Sequence, residues 1–514
     1  MEIRGAFHTP SGIYPGSPTF LEHHLRFSCS QFCTRNRFST TPAPLPLRLN
    51  PKRPPPSAVE SPVDDGQLHR TFLVEAFHQK RDLKALFDEI SRTGSCPLQI
   101  LARDGDWPFE KLRVVVAFLA DSGRATEALQ VFYVWKNREK SRSSSVVYYS
   151  KIIRVFCDRN LIETAVLIFK DMEELKVGQS VETYSFIIHG YARIKEFQES
   201  RALLTKMVED GLLPVPETYN GLILAYGNYG LYDDMSKCVK MMESAGCYPN
   251  EITYNILIGE FARGGLVERM EKFYRTMLSK RMILQSHTLM AMLEAYADLG
   301  ISEKMEKMYF KVLNSRTYMK DALIRKIANV YVENGRFARL GEFGNEIDRR
   351  TGRSELLWCI LLLSSAGLLS KKGINSISQE MDIAKVRWST TITNIFALFY
   401  LRMKDFKALN FVFSNAIKHR ADPDMLTVSI LFDAYSIGFS CTHLLEKWKG
   451  NAYLEAAVEM RTDPLVMSTF GKGPFLLKCE KLYTAIDSKA REKKLWKYID
   501  IIRLVLYGQF SECQ

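Results

Sequence analysis

The side chains able to do chemistry in this chain are hydroxyls, amides and carboxylates that recur at a fixed interval. Asn220 and Asn255 stand 35 residues apart, as do Asn250 and Gln285. Thirty residues after Ser150, Asn220, Asn255 and Asn394 come Ser180, Asn250, Gln285 and Asp424. Ser185 falls in the column of Asn220 and is followed thirty residues on by Val215. Groups of this kind donate and accept hydrogen bonds, which is recognition chemistry. Catalytic groupings are not found. The nine histidines and the acids form no cluster, and no glycine-rich phosphate loop or Ser/His/Asp order is present. The ten cysteines make no CxxC pair and no Cys/His cluster. They read as buried free thiols in a reducing compartment, not as metal ligands or a disulfide frame. No enzyme activity, cofactor or metal is expected.

These residues are positioned by a repeat. Residues 181–215, 216–250 and 251–285 align without a gap. Thr183, Thr218 and Thr253 share one column and Tyr184, Tyr219 and Tyr254 the next. Ile188, Ile223 and Ile258 share a third, and Met207, Met242 and Met277 a fourth. A fixed period of this size is the signature of stacked units. Within a unit the apolar residues fall at i, i+3, i+4 and i+7, for example Tyr254, Leu257, Ile258 and Phe261, which predicts an amphipathic helix. A glycine at the fifteenth position ends it, as at Gly230, Gly265, Gly300 and Gly335. A second stripe, such as Met270, Phe273, Tyr274 and Met277, predicts a second helix. Neither helix can bury its stripe alone, so the units must stack.

Taken in order, residues 1–60 differ from the rest. Up to Pro56 seven basic residues stand against Glu2 and Glu22. The stretch is rich in Ser, Thr and Pro, which reads as an organelle transit peptide. The chain carries +12 in all and the remainder after Pro56 carries +7, a mild lean toward anionic partners. Residues 61–108 read as a lead-in with one amphipathic helix near Leu68–Arg92. The array spans 109–459, with the register clearest over 146–355 and 390–424, a degenerate unit at about 355–389 and a decaying one from Met425. Residues 460–514 read as capping helices over the last apolar face. The apolar run Leu356–Ser370 is shorter than the roughly 20 residues a membrane span needs and reads as a buried helix.

The 35-residue helix pair, with its Thr218-Tyr219-Asn220 start, its Gly230-to-Asp234 turn and its Pro249-Asn250 loop, resembles the pentatricopeptide repeat family, and its unmixed length resembles the P class. The resemblance covers about 350 of the 514 residues. It implies an all-α fold, a right-handed α-solenoid superhelix of stacked antiparallel helix pairs. It also implies single-stranded RNA as the ligand, with the fifth and thirty-fifth residues of a unit selecting one base and the second sandwiching it. At about 100° per residue the second and fifth positions point away from the apolar stripe.

Carried over, the base-selecting pairs are Asn220 with Asn250, Asn255 with Gln285, Asn394 with Asp424, and Ser150 with Ser180; Ser185 stands with Val215. Met290 with Lys320, Arg325 with Glu355, and Cys359 with Ser389 match no readable pair. At the second position Glu182, Glu217 and His287 depart from the aliphatic preference, and Ile252 fits it. Arg193, Arg263 and Arg402 share the thirteenth position and are candidates for phosphates. Simpler roles are equally open at these positions. Ser180, Asn250 and Asp424 suit helix N-caps, the arginines suit plain solvated cations, and Tyr149, Tyr184, Tyr219 and Tyr254 lie on the stripe and suit core packing. The function implied is organelle RNA metabolism, by transcript stabilisation, processing, splicing or translation, acting through binding and recruitment of other RNA-processing proteins. The leader favours the chloroplast, with the mitochondrion as alternative. The rival is a protein-binding helical-repeat scaffold, for which the odd second positions and unreadable pairs speak.

Overall fold

The computed structural model describes residues 81–507 apart from 93–95, 106, 139–144, 176, 316, 451–452, 459, 461 and 486–495. The leader, the first half of the lead-in helix and most of the serine-rich linker lie outside the described residues. Among the described residues the secondary structure is helical, apart from one isolated bridge between Ala457 and Lys497.

The predicted helix pairs are present in register. First helices run over Ser145–Cys157, Val181–Arg193, Pro216–Asn228, Glu251–Arg263, Ser286–Asp298, Asp321–Glu333, Glu355–Gly367 and Thr390–Arg402. Second helices run over Ile162–Glu174, Phe197–Glu209, Tyr232–Ser244, Val267–Ser279, Ser302–Asn314, Phe337–Thr351, Lys371–Ile383 and Phe406–His419. Each first helix packs on its own second helix and, with the exception of Asp321–Glu333, closely on the first helix of the next unit; Asp321–Glu333 packs instead on the later helix Pro464–Phe470. Second helices meet one another far less, so the first helices form the closely stacked layer. The predicted stripe is the core: Tyr254, Leu257, Ile258 and Phe261 are all buried, as are Met270 and Met277 opposite them. Each such side chain contributes roughly 1.5–3 kcal/mol by leaving water. The apolar run beginning at Leu356 is one of these buried first helices. Among the described residues no helix is long and apolar enough to cross a membrane.

The inner turn needs a left-handed residue in every unit. Gly230, Gly265, Gly300 and Gly335 supply it with φ between 64° and 70°. Where the sequence lacks glycine the backbone does not change: Asn160, Lys195, Leu369 and Lys404 adopt φ between 53° and 72° at the same position. A second left-handed position closes the unit, at Gly211, Gly246, Arg281, Lys385 and Arg420.

The ends differ from plain caps. Residues 81–90 are helical, and Phe87 stacks on Phe118 of the helix Phe109–Asp121 with centroids 4.4 Å apart. At the other end Pro474–Ala485 covers the first helix Met425–Ser436, as a cap should. The preceding helix, Pro464–Phe470, does something else. It turns back across the first helices Asp321–Glu333, Glu355–Gly367 and Thr390–Arg402.

Candidate nucleic-acid interface

The fifth-position side chains lie in the seam between successive first helices. Ser150, Ser185, Asn220, Asn255 and Asn394 are all buried, at 8% exposure or less. The pitch of a helix turns them away from the apolar stripe, but the close stacking of first helices then covers them. Across the seam each faces the third-position threonine of the next unit, and the hydrogen bonds made there distinguish the candidates.

Ser150 donates to the Val146 carbonyl at 2.9 Å and shares a hydrogen bond with Thr183 at 2.6 Å; its partner Ser180 is 3.5 Å away. Ser180 caps the helix Val181–Arg193 through the Thr183 N–H at 3.2 Å. Ser185 repeats the pattern, donating to Val181 O at 2.7 Å and meeting Thr218 at 2.7 Å. Val215 thirty residues on offers no side-chain cap.

Asn255 is spent on backbone. Its Nδ2 donates to the carbonyls of Glu251 and Ile283, at 2.9 and 3.1 Å, and its Oδ1 accepts from the Gln285 N–H at 2.8 Å. The Gln285 side chain makes no cap. Asn394 and Asp424 are brought together directly, Nδ2 to the carboxylate at 3.0 and 3.2 Å, and Asp424 also caps the helix Met425–Ser436.

Asn220 alone among these five is left open: both polar atoms of its amide are buried with no hydrogen-bond partner. For the Asn220 Oδ1 the cause lies in Asn250. Asn250 and Thr253 form a reciprocal capping box, in which Thr253 Oγ1 takes the Asn250 N–H and Asn250 Oδ1 takes the Thr253 N–H, at 3.2 and 3.0 Å. The backbone donor that satisfies Asn255 in the next unit is thereby withdrawn from Asn220. Asn250 is thus a helix cap with its Oδ1 in use, and the Asn220 amide stays unpaired.

The stripe tyrosines are core residues. Tyr149, Tyr184, Tyr219 and Tyr254 are buried, and Tyr184 donates to Asp210 while Tyr254 accepts from Lys280 Nζ at 3.0 Å. Burial raises Tyr149, Tyr184 and Tyr219 above the usual phenol range. Seven free cysteines are described; Cys157, Cys238, Cys359 and Cys479 have thiols pushed up to about 12 by burial, which leaves them poor nucleophiles.

The cations of this face are mostly engaged. Arg193 pairs with Asp158 at 3.4 Å and Arg154 pairs with the same carboxylate at 3.5 Å. Arg263 pairs with Glu260, a carboxylate only 2% exposed. Lys326 is held by Glu294 and Asp298 at 2.7 and 2.8 Å. Arg402 is exposed, with no ion pair among the described residues. Among the described residues these cations, Arg402 apart, are neutralised by neighbouring acids.

Sequence reasoning missed three features. His189, ninth in its unit, is half-buried and donates from Nε2 to the Thr218 carbonyl at 3.0 Å, over Gly221, where any Cβ would meet its ring. Leu213, Tyr248, Ile283 and Tyr318 recur at the thirty-third position and are 67–76% exposed. Asp463 pairs with the fifth-position residue Arg325 at 2.9 Å. The first two recur with the period or pack by it; the last had no local signal.

Comparisons with known proteins match the repeat region of the sequence. Family models for the PPR repeat family match residues 214–263, for the pentatricopeptide repeat domain residues 167–229, and for the PPR repeat residues 147–177 and 252–282. A chloroplastic pentatricopeptide repeat-containing protein of Arabidopsis thaliana is 54% identical over 436 residues, covering 84% of this chain and 87% of that protein. Among solved structures, maize PPR10 in complex with an 18-nt psaJ RNA element is 17% identical with a TM-score of 0.40, over 80% of this chain and 65% of that one. This chain therefore spans just under two thirds of the maize chain's length. Yeast Rmd9p in complex with a 16-nt target RNA is 10% identical with a TM-score of 0.32, over 80% of this chain and 94% of that one. On the strength of the Arabidopsis relative and the repeat matches, the chain belongs to the pentatricopeptide repeat family.

Proposed function

We propose that this chain is a P-class pentatricopeptide repeat protein that binds single-stranded RNA in the chloroplast through the seam of its first helices. It acts by occupying and presenting a transcript, without catalysis, in stabilisation, processing, splicing or translation. The observation that carries the reading is the Asn220 amide, buried and unpartnered beside Asn250. A buried amide without partners is costly and calls for a ligand or another explanation. A base edge supplies both a donor and an acceptor for an amide of this kind. The chloroplastic relative and its RNA-binding family support the same reading.

Crosslinking and immunoprecipitation of the tagged full chain tests it. Enrichment of one or a few plastid transcripts is the expected result. Absence of enriched RNA, with a stoichiometric protein partner in the same fraction, would replace it by the scaffold reading. That second reading has its own observation in the exposed apolar series Leu213, Tyr248, Ile283 and Tyr318.

A further inference from the structure

The segment from Asp463 to Phe475 lies on the same face that carries the fifth and ninth positions of the later units. Asp463 Oδ2 accepts from Arg325 Nη1 at 2.9 Å, and Arg325 is fifth in its unit. Ser468 Oγ donates to Asn329 Oδ1 at 3.0 Å, and Asn329 is ninth. At the far end Asp433, ninth in the unit that begins at Met425, accepts from the Phe475 N–H at 3.0 Å. Phe475 stacks on Phe432 with centroids 4.5 Å apart. Between these ties Leu465 and Val466 are buried, and their helix packs across the three first helices from Asp321 to Arg402. Polar anchors at both ends and apolar anchors in the middle make this a seated segment.

We propose that this strap ends the RNA track. The units before Asp321 hold single-stranded RNA, and the units from Asp321 onward give their reading face to the chain's own C-terminal segment. The proposal rests on the RNA-binding reading above. It accounts for the residue types under the strap. Arg325 with Glu355 and Cys359 with Ser389 match no base, Arg325 instead has a protein carboxylate as its partner, and Asn394, the one readable fifth position beneath the strap, has its amide taken by Asp424. Asp463 also places a negative charge on this face, which opposes RNA there.

The test measures how long an RNA must be for full affinity, using the full chain and random-sequence single-stranded pools of fixed lengths. With one base per repeat, affinity should level off at about six nucleotides for the native chain. In the double variant Leu465→Asp and Val466→Asp the strap is released. The plateau should then move to about nine nucleotides, and affinity for the longest pools should rise about tenfold as further phosphates and bases are met. An unchanged plateau in the variant, or a plateau already near nine in the native chain, would overturn the proposal. Should the variant not fold, hydrogen exchange on the native chain decides. RNA should slow exchange in Val181–Arg193 and Glu251–Arg263 and leave Asp321–Glu333 unaltered; protection of Asp321–Glu333 overturns the proposal. Binding of no pool by the native chain would overturn the RNA reading itself, and this inference with it.

Discussion

Asn394 donates from Nδ2 to both carboxylate oxygens of Asp424, at 3.0 and 3.2 Å, across the seam between two units. Asp424 Oδ1 also accepts from the N–H and the hydroxyl of Thr427, both at 2.7 Å, and Thr427 Oγ1 lies 2.7 Å from Asn394 Oδ1. One carboxylate is thus a helix cap and an inter-repeat clamp. Asp424→Ala should lose about 1 kcal/mol of capping and a further 1–3 kcal/mol for the stranded amide. The check is the urea midpoint; Asp424→Asn, which can still cap, should fall less. Equal losses for both variants would mean that the cap contributes nothing and that the carboxylate clamp carries the whole effect.

Asn220 and Asn255 occupy equivalent positions and should respond oppositely. Asn255→Ala breaks three hydrogen bonds to backbone and should cost at least about 2 kcal/mol. Asn220→Ala removes an amide that has no partner, so stability should hold or rise by up to about 1 kcal/mol. Base preference should change at one nucleotide in the same variant. Loss of stability with base preference intact would make Asn220 a structural residue.

This contrast also marks what the sequence could convey. The period, the helix pairs and the buried stripes were legible because each unit repeats the same apolar spacing, and Tyr254, Leu257, Ile258 and Phe261 fall where that spacing puts them. The difference between Asn220 and Asn255 was not, because it depends on who takes one backbone N–H. A hint existed: Asn250 and Asp424 each precede a threonine by three residues, the spacing of a reciprocal cap, and Gln285 cannot cap in that way. The fold-back of Pro464–Phe470 had no such hint. Its contacts join residues 138 and 139 apart, as Arg325 with Asp463 and Asn329 with Ser468, and no repeat period reports on them.

The left-handed turns give a stability prediction in two directions. Lys195 and Leu369 hold φ of 72° and 53° with side chains that disfavour it. Lys195→Gly and Leu369→Gly should each raise the melting midpoint, by about 1 kcal/mol in free energy. Gly265 has φ of 68° and open space around its Cβ position, so Gly265→Val is penalised by backbone strain alone, roughly 1–2 kcal/mol or more. A neutral Gly265→Val would mean that the turn relaxes.

His189 supplies a pH dependence. Burial is the main cause holding its pKa below the ordinary 6.5, against a smaller opposing contribution from the Thr218 carbonyl. Unfolded chains therefore take up a proton near pH 6.5 that the folded chain refuses. Stability from this group is complete above that pH and is lost as pH falls below it. Melting from pH 7.5 to 5.5 should show a decline that His189→Gln lessens. Gly221→Ala, which crowds the ring, should destabilise at both pH values by about 1–3 kcal/mol. An identical pH profile in His189→Gln would assign the decline to other groups.

The charge balance of the first-helix face bears on how RNA is held. Arg154 and Arg193 share Asp158, Arg263 is tied to Glu260, Lys326 to Glu294 and Asp298, and Arg325 to Asp463. A cation already neutralised by a carboxylate releases few counterions when a phosphate arrives. Each phosphate neutralised on a single strand contributes about −0.7 to the slope of log affinity against log salt. With most cations engaged, the slope should be no steeper than about −2, the signature of two or three phosphate contacts. Base contacts and packing then carry most of the affinity, and Arg402→Ala, a change in a unit beneath the C-terminal strap, should leave affinity for RNA unaltered. A measured slope near −4 would show that the arginines leave their acids for the RNA backbone, and Asp158→Asn should then strengthen binding by freeing two of them.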